Sequence, residues 1–495
     1  MTLIKLPNLI AVLYAGICFC SAGCKASEKG SKETGNDTTT YAVSAEKLAI
    51  IESDDVTIQI DPSFAYYQGR SAESIVDEVL LAGFKAVHYF VVNENHVNGE
   101  LIHAFHEKGI RVWLLTLGNG TYSTADYPAG WEQWKMGLSK RENGVDGFTF
   151  LSPFNKDFVE WKKKSLVYLM TKYPFDGLEL AESYFPEWDA ISKGTYGDVG
   201  PNAQQAFKEQ YDLDMPDFAD TQAPNHYTRQ PDVYKKWVEF RVQTVNGFLH
   251  ELINGKGGVR EARPDALIAT WSLAINQGPG SFNKLREDQG LDAASMVGLV
   301  KPDVHFFQTH WPDWVKPESA LRPDYMKDYQ PFVDQLKQAH PTVPVGLQAD
   351  IGSAKNMIKS AYWVKEFDKA ARKYGYTTWT SYEYHLGGYI YTEKPLPRKA
   401  VRKNTQQVTV SFNKRIDETI AKDQSNYTFF LNGESVAVDL QDIRVDGNQL
   451  TLLSAALPAE GFEIAFRNIT DTPQLWLYKD FPANKIPEGI RIKVP

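Results

Sequence analysis

Tyr173-Pro174-Phe175-Asp176-Gly177-Leu178-Glu179-Leu180-Ala181-Glu182-Ser183 is the stretch on which the fold turns. The proline and the Asp-Gly pair mark a turn, and Gly177–Ala181 then forms a short run that is apolar except at Glu179. A strand covered on both faces, as in a parallel sheet, reads as such a run rather than as an alternation. A helical pattern precedes it over 156–171, and another follows over 232–253 after a long connection. Similar units extend in both directions. Apolar runs at 56–60, 84–91, 111–117, 266–273, 304–309, 343–349 and 377–384 alternate with helical patterns at 71–81, 99–108, 291–299, 329–339 and 354–373. Ser71 supplies an N-cap, and Gly83 and Gly109 supply stops. Eight strand-then-helix units in a row predict a (β/α)8 (TIM) barrel, because right-handed crossovers close such a sheet. An open doubly wound sheet would carry a Gly-rich phosphate loop after its first strand. Asp61-Pro62-Ser63-Phe64 stands there instead.

The last hundred residues change period. Val408-Thr409-Val410-Ser411-Phe412, 427–431, 449–453 and 462–466 alternate in polarity, with Asn432-Gly433 and Asp446-Gly447 as hairpin turns. An all-β sandwich of immunoglobulin-like size is expected there. The stretches VTVSFNKRID (408–417) and LPAEGFEIAFRNITDT (457–472) resemble the Ig-like domains of bacterial cell-surface proteins. The expected division is a signal segment at 1–23, a tether at 24–45, the barrel at 46–400 and the sandwich at 401–495.

Composition narrows the class. With 53 Lys and Arg against 62 Asp and Glu, the formal net charge is −9, which disfavours a phosphate-binding surface and hence nucleic acid as partner. All three cysteines, Cys18, Cys20 and Cys24, lie in the first 24 residues, so no disulfide framework or thiolate site is available beyond them. Lys5 followed by the apolar run 9–19 reads as a targeting segment too short to span a bilayer. Ser21-Ala22-Gly23-Cys24 resembles a bacterial lipobox, which implies lipidation of Cys24 and an extracytoplasmic protein that meets the membrane through its anchor only. Residues 25–40 are polar and suit a flexible tether.

Barrel sites lie at the C-terminal ends of the strands. The polar and aromatic residues expected there include Asp61, His88, Asn119, Glu179, Glu182, Trp271, Gln308, His310, Trp311, Gln348, Asp350 and Glu383. The first strand reads Gln59-Ile60-Asp61, without the His-x-His of a metal-dependent hydrolase, so neither metal nor cofactor is expected. Carboxylates without metal suit glycosidic cleavage, in which one acid protonates the leaving oxygen while a second acts across the ring. Tryptophans at 131, 134, 188, 311 and 314 suit the apolar faces of sugar rings. Long connections at 118–155 and 183–230 suit walls or lids around such a site.

The Phe175-Asp176-Gly177-Leu178 entry to the fourth strand resembles glycoside hydrolase barrels. The acidic pattern of family 18 chitinases is not met, since Ala181 and Ser183 occupy its last two carboxylate positions. In clan-A glycosidases the fourth strand ends in Asn-Glu. Here that pair is Ala181-Glu182, so the acid is matched and the Asn is not. The resemblance implies Glu182 as acid and Asp350, at the tip of the seventh strand, as its partner; Glu383, near the tip of the eighth strand, is the alternative partner from its position alone. Glu179 would support Glu182, and the remaining residues named above would line the sugar site. The expectation is therefore a lipid-anchored glycosidase acting on a polysaccharide or oligosaccharide. The alternatives are a non-catalytic carbohydrate-binding lipoprotein, favoured by the missing Asn, and a structural or adhesive surface protein.

Overall fold

The structure is a computed structural model that describes residues 42–349, 351–383 and 389–495. The targeting segment with Cys24, most of the tether, Asp350 and residues 384–388 lie outside the described residues, and Glu383 enters as a backbone position alone. No helix among the described residues is long and apolar enough to cross a membrane.

Eight strands close into a barrel in sequence order. They are β1 (Val56–Ile60), β2 (Ala86–Phe90), β3 (Arg111–Leu117), β4 (Gly177–Ala181), β5 (Leu267–Leu273), β6 (Val304–Gln308), β7 (Val345–Ala349) and β8 (Thr378–Glu383). All eight neighbouring pairs are parallel. Alternate positions divide the core. Trp113, Leu115, Ala181, Ala269, Trp271 and Phe306 fill the interior, whereas Val112, Leu114, Leu178, Leu180, Ile268 and Phe307 face the helices. Gly177 makes room for this filling, since a Cβ there would meet the Trp113 ring at 2.5 Å.

A helix absent from the sequence reading, α1 (Ala45–Ser53), closes the N-terminal end of the barrel. Ile51 joins the interior cluster. Lys47 pairs with Asp303 at 2.9 Å, and Asp54, which caps the helix, accepts from the Arg111 guanidinium. Nine residues with one fully buried side chain give too weak a periodicity to detect.

The two long connections are folded. Within 118–155, Gly120–Thr121 pairs with Thr149–Phe150, and Trp134 packs on Trp161 at 5.4 Å. Within 183–230, Tyr196, Ala203, Phe207 and Phe218 build a small separate core on Trp237 and Phe240 of the helix Pro231–Ile253.

The C-terminal domain has two four-stranded antiparallel sheets around one core. One sheet contains β9 (Pro397–Asn404), β10 (Gln407–Phe412), β13 (Asp442–Asp446) and β14 (Gln449–Leu453). The other contains β11 (Tyr427–Leu431), β12 (Glu434–Val436), β15 (Phe462–Phe466) and β16 (Arg491–Val494). Asn432 and Gly433 both have positive φ, 51° and 87°, as the tight turn between β11 and β12 requires. β9 runs across the expected boundary at 401.

Candidate active site

The interior face of β4 leads to Glu182. The Gly118 N–H donates to the Ala181 carbonyl at 2.7 Å, so β3 and β4 stay zipped to their ends. The chain then turns sharply, with Glu182 at φ 52°, a left-handed conformation that costs a non-glycine residue about 1–2 kcal/mol. Its neighbours hold that turn. A Cβ on Gly118 would lie 1.8 Å from Ser183 Oγ, so only glycine lets Ser183 sit there. The Tyr184 N–H donates to Asn119 Oδ1 at 3.0 Å, and Asn119 Nδ2 donates back to the Tyr184 carbonyl at 3.0 Å. The Phe185 N–H donates to the Gln289 carbonyl at 3.1 Å. The Phe185 ring lies under the buried Arg241 guanidinium, 4.4 Å from its centroid. Glu182 itself is half-buried.

Aromatic rings run from this turn to the surface. Trp271, fully buried, stacks on Tyr184 at 5.8 Å. Tyr184 meets Phe150, Phe150 meets Phe148, and Phe148 meets Tyr122 at 4.9 Å. Tyr122 is 51% exposed. Burial holds the Tyr184 phenol well above its ordinary pKa, and the nearby Glu182 carboxylate adds to the effect. The phenol therefore stays protonated at neutral pH. Beyond β6, Trp311 is 53% exposed beside His310. Burial lowers the His310 pKa to about 4, so it is a neutral imidazole near pH 7.

The other residues expected at the rim fall into distinct places. His88 Nδ1 stands 2.5 Å from Glu179 Oε2, with both side chains buried in the barrel and the imidazole stacked on Trp113. Trp271 Nε1 donates to Gln348 Oε1 at 2.7 Å, also in the interior. Asp61 is buried and accepts the Ser63 N–H at 2.9 Å. Gln308 ends β6, half-buried, in register with Gln348. Glu383 stands opposite Gln59 in the β1–β8 register. The structure thus brings Glu182 to the aromatic rim and sets Glu179, His88, Trp271 and Gln348 below it. Asn119 is engaged by the backbone.

Gly118, Ser183, Tyr184 and Arg241 were not signalled by sequence, because their roles depend on contacts between distant segments. The aromatic at 184, two residues beyond the expected acid, is the one hint that was available. Among the described residues, no group of three His, Cys, Asp or Glu side chains could hold a metal ion.

No family model matches the chain, and no curated protein matches it. Among solved structures it is similar to the glycoside hydrolase domain of PgaB (BpsB) from Bordetella bronchiseptica. The identity is 14%, with 66% of this chain and 93% of that chain covered and a TM-score of 0.48. It is also similar to a β-galactosidase from Rahnella sp. R3, at 13% identity over 70% of this chain and 52% of that one, with a TM-score of 0.49. It thus spans about half of that enzyme's length.

Proposed function

We propose that the protein is a glycoside hydrolase that cleaves a polysaccharide or oligosaccharide, with Glu182 donating the proton to the leaving oxygen. The observation that carries this reading is the strained, braced presentation of Glu182 at the end of β4, beside rings reaching out to Tyr122. Backbone strain persists where the surroundings over-determine it, and such places cluster at working sites. A carboxylate next to aromatic faces matches a sugar ring, which offers an apolar face and a polar edge.

In this mechanism Glu182 protonates the glycosidic oxygen as the bond to the anomeric carbon breaks. A second carboxylate, Asp350 or Glu383, meets that carbon directly or activates a water. A separation of about 5–5.5 Å would give retention, and about 6.5–9.5 Å inversion. Cys24 would anchor the protein to a membrane outside the cytoplasm, with residues 25–40 as tether.

A second reading is favoured by one feature. Ala181 stands where an Asn commonly precedes the acid, and Asn119 cannot replace it while its amide is bonded to Tyr184. On that reading the rim binds glycans without cleaving them. Purified polysaccharides and oligosaccharides incubated with the full chain and with Glu182→Ala separate the two. Sugar release by the wild type alone supports the enzyme. Binding by both without release supports the binder.

A further inference from the structure

We propose that the C-terminal domain is a fixed wall of the barrel mouth, and that Tyr478 is a positioning residue for the loop leaving β7; this rests on the rim being the working site.

The domain meets three loops, each following one of three adjacent strands. After β1, the Arg415 guanidinium donates to the carbonyls of Tyr66 at 2.7 Å and Gln68 at 2.8 Å. After β7, Tyr478 Oη donates to the Gly352 carbonyl at 2.8 Å, and Lys355 pairs with Asp480. After β8, the Lys414 ammonium donates to the carbonyls of Ile390 and Glu393, and Asn484 Nδ2 donates to that of Tyr391 at 2.9 Å. In the barrel order, β7, β8 and β1 form the arc opposite β4, which carries Glu182. The domain therefore holds the side of the rim that faces the proposed acid. Gly352 follows the candidate partner Asp350 by two positions in sequence.

The junction has the character of a core. Trp476 is 1% exposed and belongs to the same apolar cluster as the barrel's outer strand faces and helices, with Tyr478 and Phe481 packed against it. Tyr391 contacts the rings of Trp476, Tyr478 and Phe481. Two buried ion pairs flank the junction, Lys414–Asp471 at 2.7 Å and Arg70–Glu78 at 2.7 Å. Arg70 also donates to Asn448 Oδ1 at 3.1 Å across the domains. A module attached by a mobile linker would leave a small, wet interface. Here charged groups that are costly to bury are paired at or beside the junction.

Removing one hydroxyl tests the positioning role. In the full chain, Tyr478→Phe should speed hydrogen exchange of the amides in 351–358 about tenfold while exchange over 177–190 stays within twofold of wild type. On a glycan that the wild type hydrolyses, the same variant should lower kcat about tenfold with KM within twofold. Unchanged exchange in 351–358, or equal acceleration throughout the chain, overturns the proposal. So does accelerated exchange with unaltered kcat. If the wild type hydrolyses no glycan, the enzymatic reading fails by itself, and the exchange result still decides whether the domain braces this loop.

Discussion

Asn119 and Tyr184, 65 positions apart in sequence, are joined as if they were paired strand residues: the amide side chain of one satisfies both the N–H and the carbonyl of the other, each at 3.0 Å. With the contact of Gly118 on Ser183, this clamp fixes the left-handed turn at Glu182. Asn119→Ala leaves two part-buried backbone groups without their partner and should cost about 1–3 kcal/mol in urea unfolding. Gly118→Ala should be worse, because the new Cβ collides with Ser183. Adding Ser183→Gly removes the colliding atoms and should recover part of the lost stability. A double variant no more stable than Gly118→Ala alone would show that the close approach is not what holds the turn.

His88 and Glu179 face each other at 2.5 Å inside the barrel, both essentially without solvent. Removing one partner leaves the other a buried polar group without its hydrogen bond, at a cost of about 1–3 kcal/mol, whereas replacing both by apolar groups can be nearly neutral. His88→Leu should therefore destabilise in urea unfolding, and His88→Leu with Glu179→Met should recover at least half of the loss. Additive losses in the double variant would contradict the pairing.

Arg241 joins three segments around the Glu182 loop. Its guanidinium lies 4.4 Å from the Phe185 centroid and 4.2 Å from that of Tyr196. It donates to the carbonyls of Gly197, Glu287 and Asp288. Lysine cannot reproduce the planar fork or the stacking. Arg241→Lys should lower stability by about 3 kcal/mol, measured by urea unfolding. A change below about 0.5 kcal/mol would remove Arg241 from the account.

Asp368 gives a pH dependence with a definite sign. Burial, with Asp55 adding to it, outweighs the hydrogen bond from Trp379 and pushes the carboxyl up to about 7. The unfolded chain releases this proton near pH 4. Between about pH 4 and pH 7 the folded state therefore holds a proton that the unfolded state has lost, and stability falls as pH rises through that window. Asp368→Asn keeps the acceptor for Trp379 and removes the charge. It should be more stable than wild type by about 2–4 kcal/mol at pH 8 and nearly equal at pH 4. Equal unfolding midpoints at both pH values would contradict this.

The barrel was legible because parallel strands covered on both faces leave short apolar runs; the strand edges expected at 56–60, 111–117 and 177–181 are those observed. Elements with little burial were not legible. α1 has a single fully buried residue, and β9, reading Pro-Arg-Lys-Ala-Val-Arg-Lys-Asn, shows mostly charge. At the candidate site, sequence could propose Glu182 but not its turn, which Gly118 and Asn119 hold from just beyond the end of β3. The aromatic row was hidden for a similar reason, since Tyr122, Phe148, Tyr184 and Trp271 come from segments far apart in the chain. Residue type alone also could not tell that Asn119 is spent on the backbone, or that His88 and Glu179 bond to each other below the rim.

The most direct test of the central claim is the rate of reducing-end release by Glu182→Gln relative to wild type, on a glycan that the wild type cleaves, with binding measured alongside. Loss of the proton donor should reduce the rate by at least about a hundredfold at pH 6–7 while the glycan dissociation constant changes less than about threefold. Release by Glu182→Gln at the wild-type rate would contradict Glu182 as the acid, and glycan binding without any release by the wild type would contradict the enzyme.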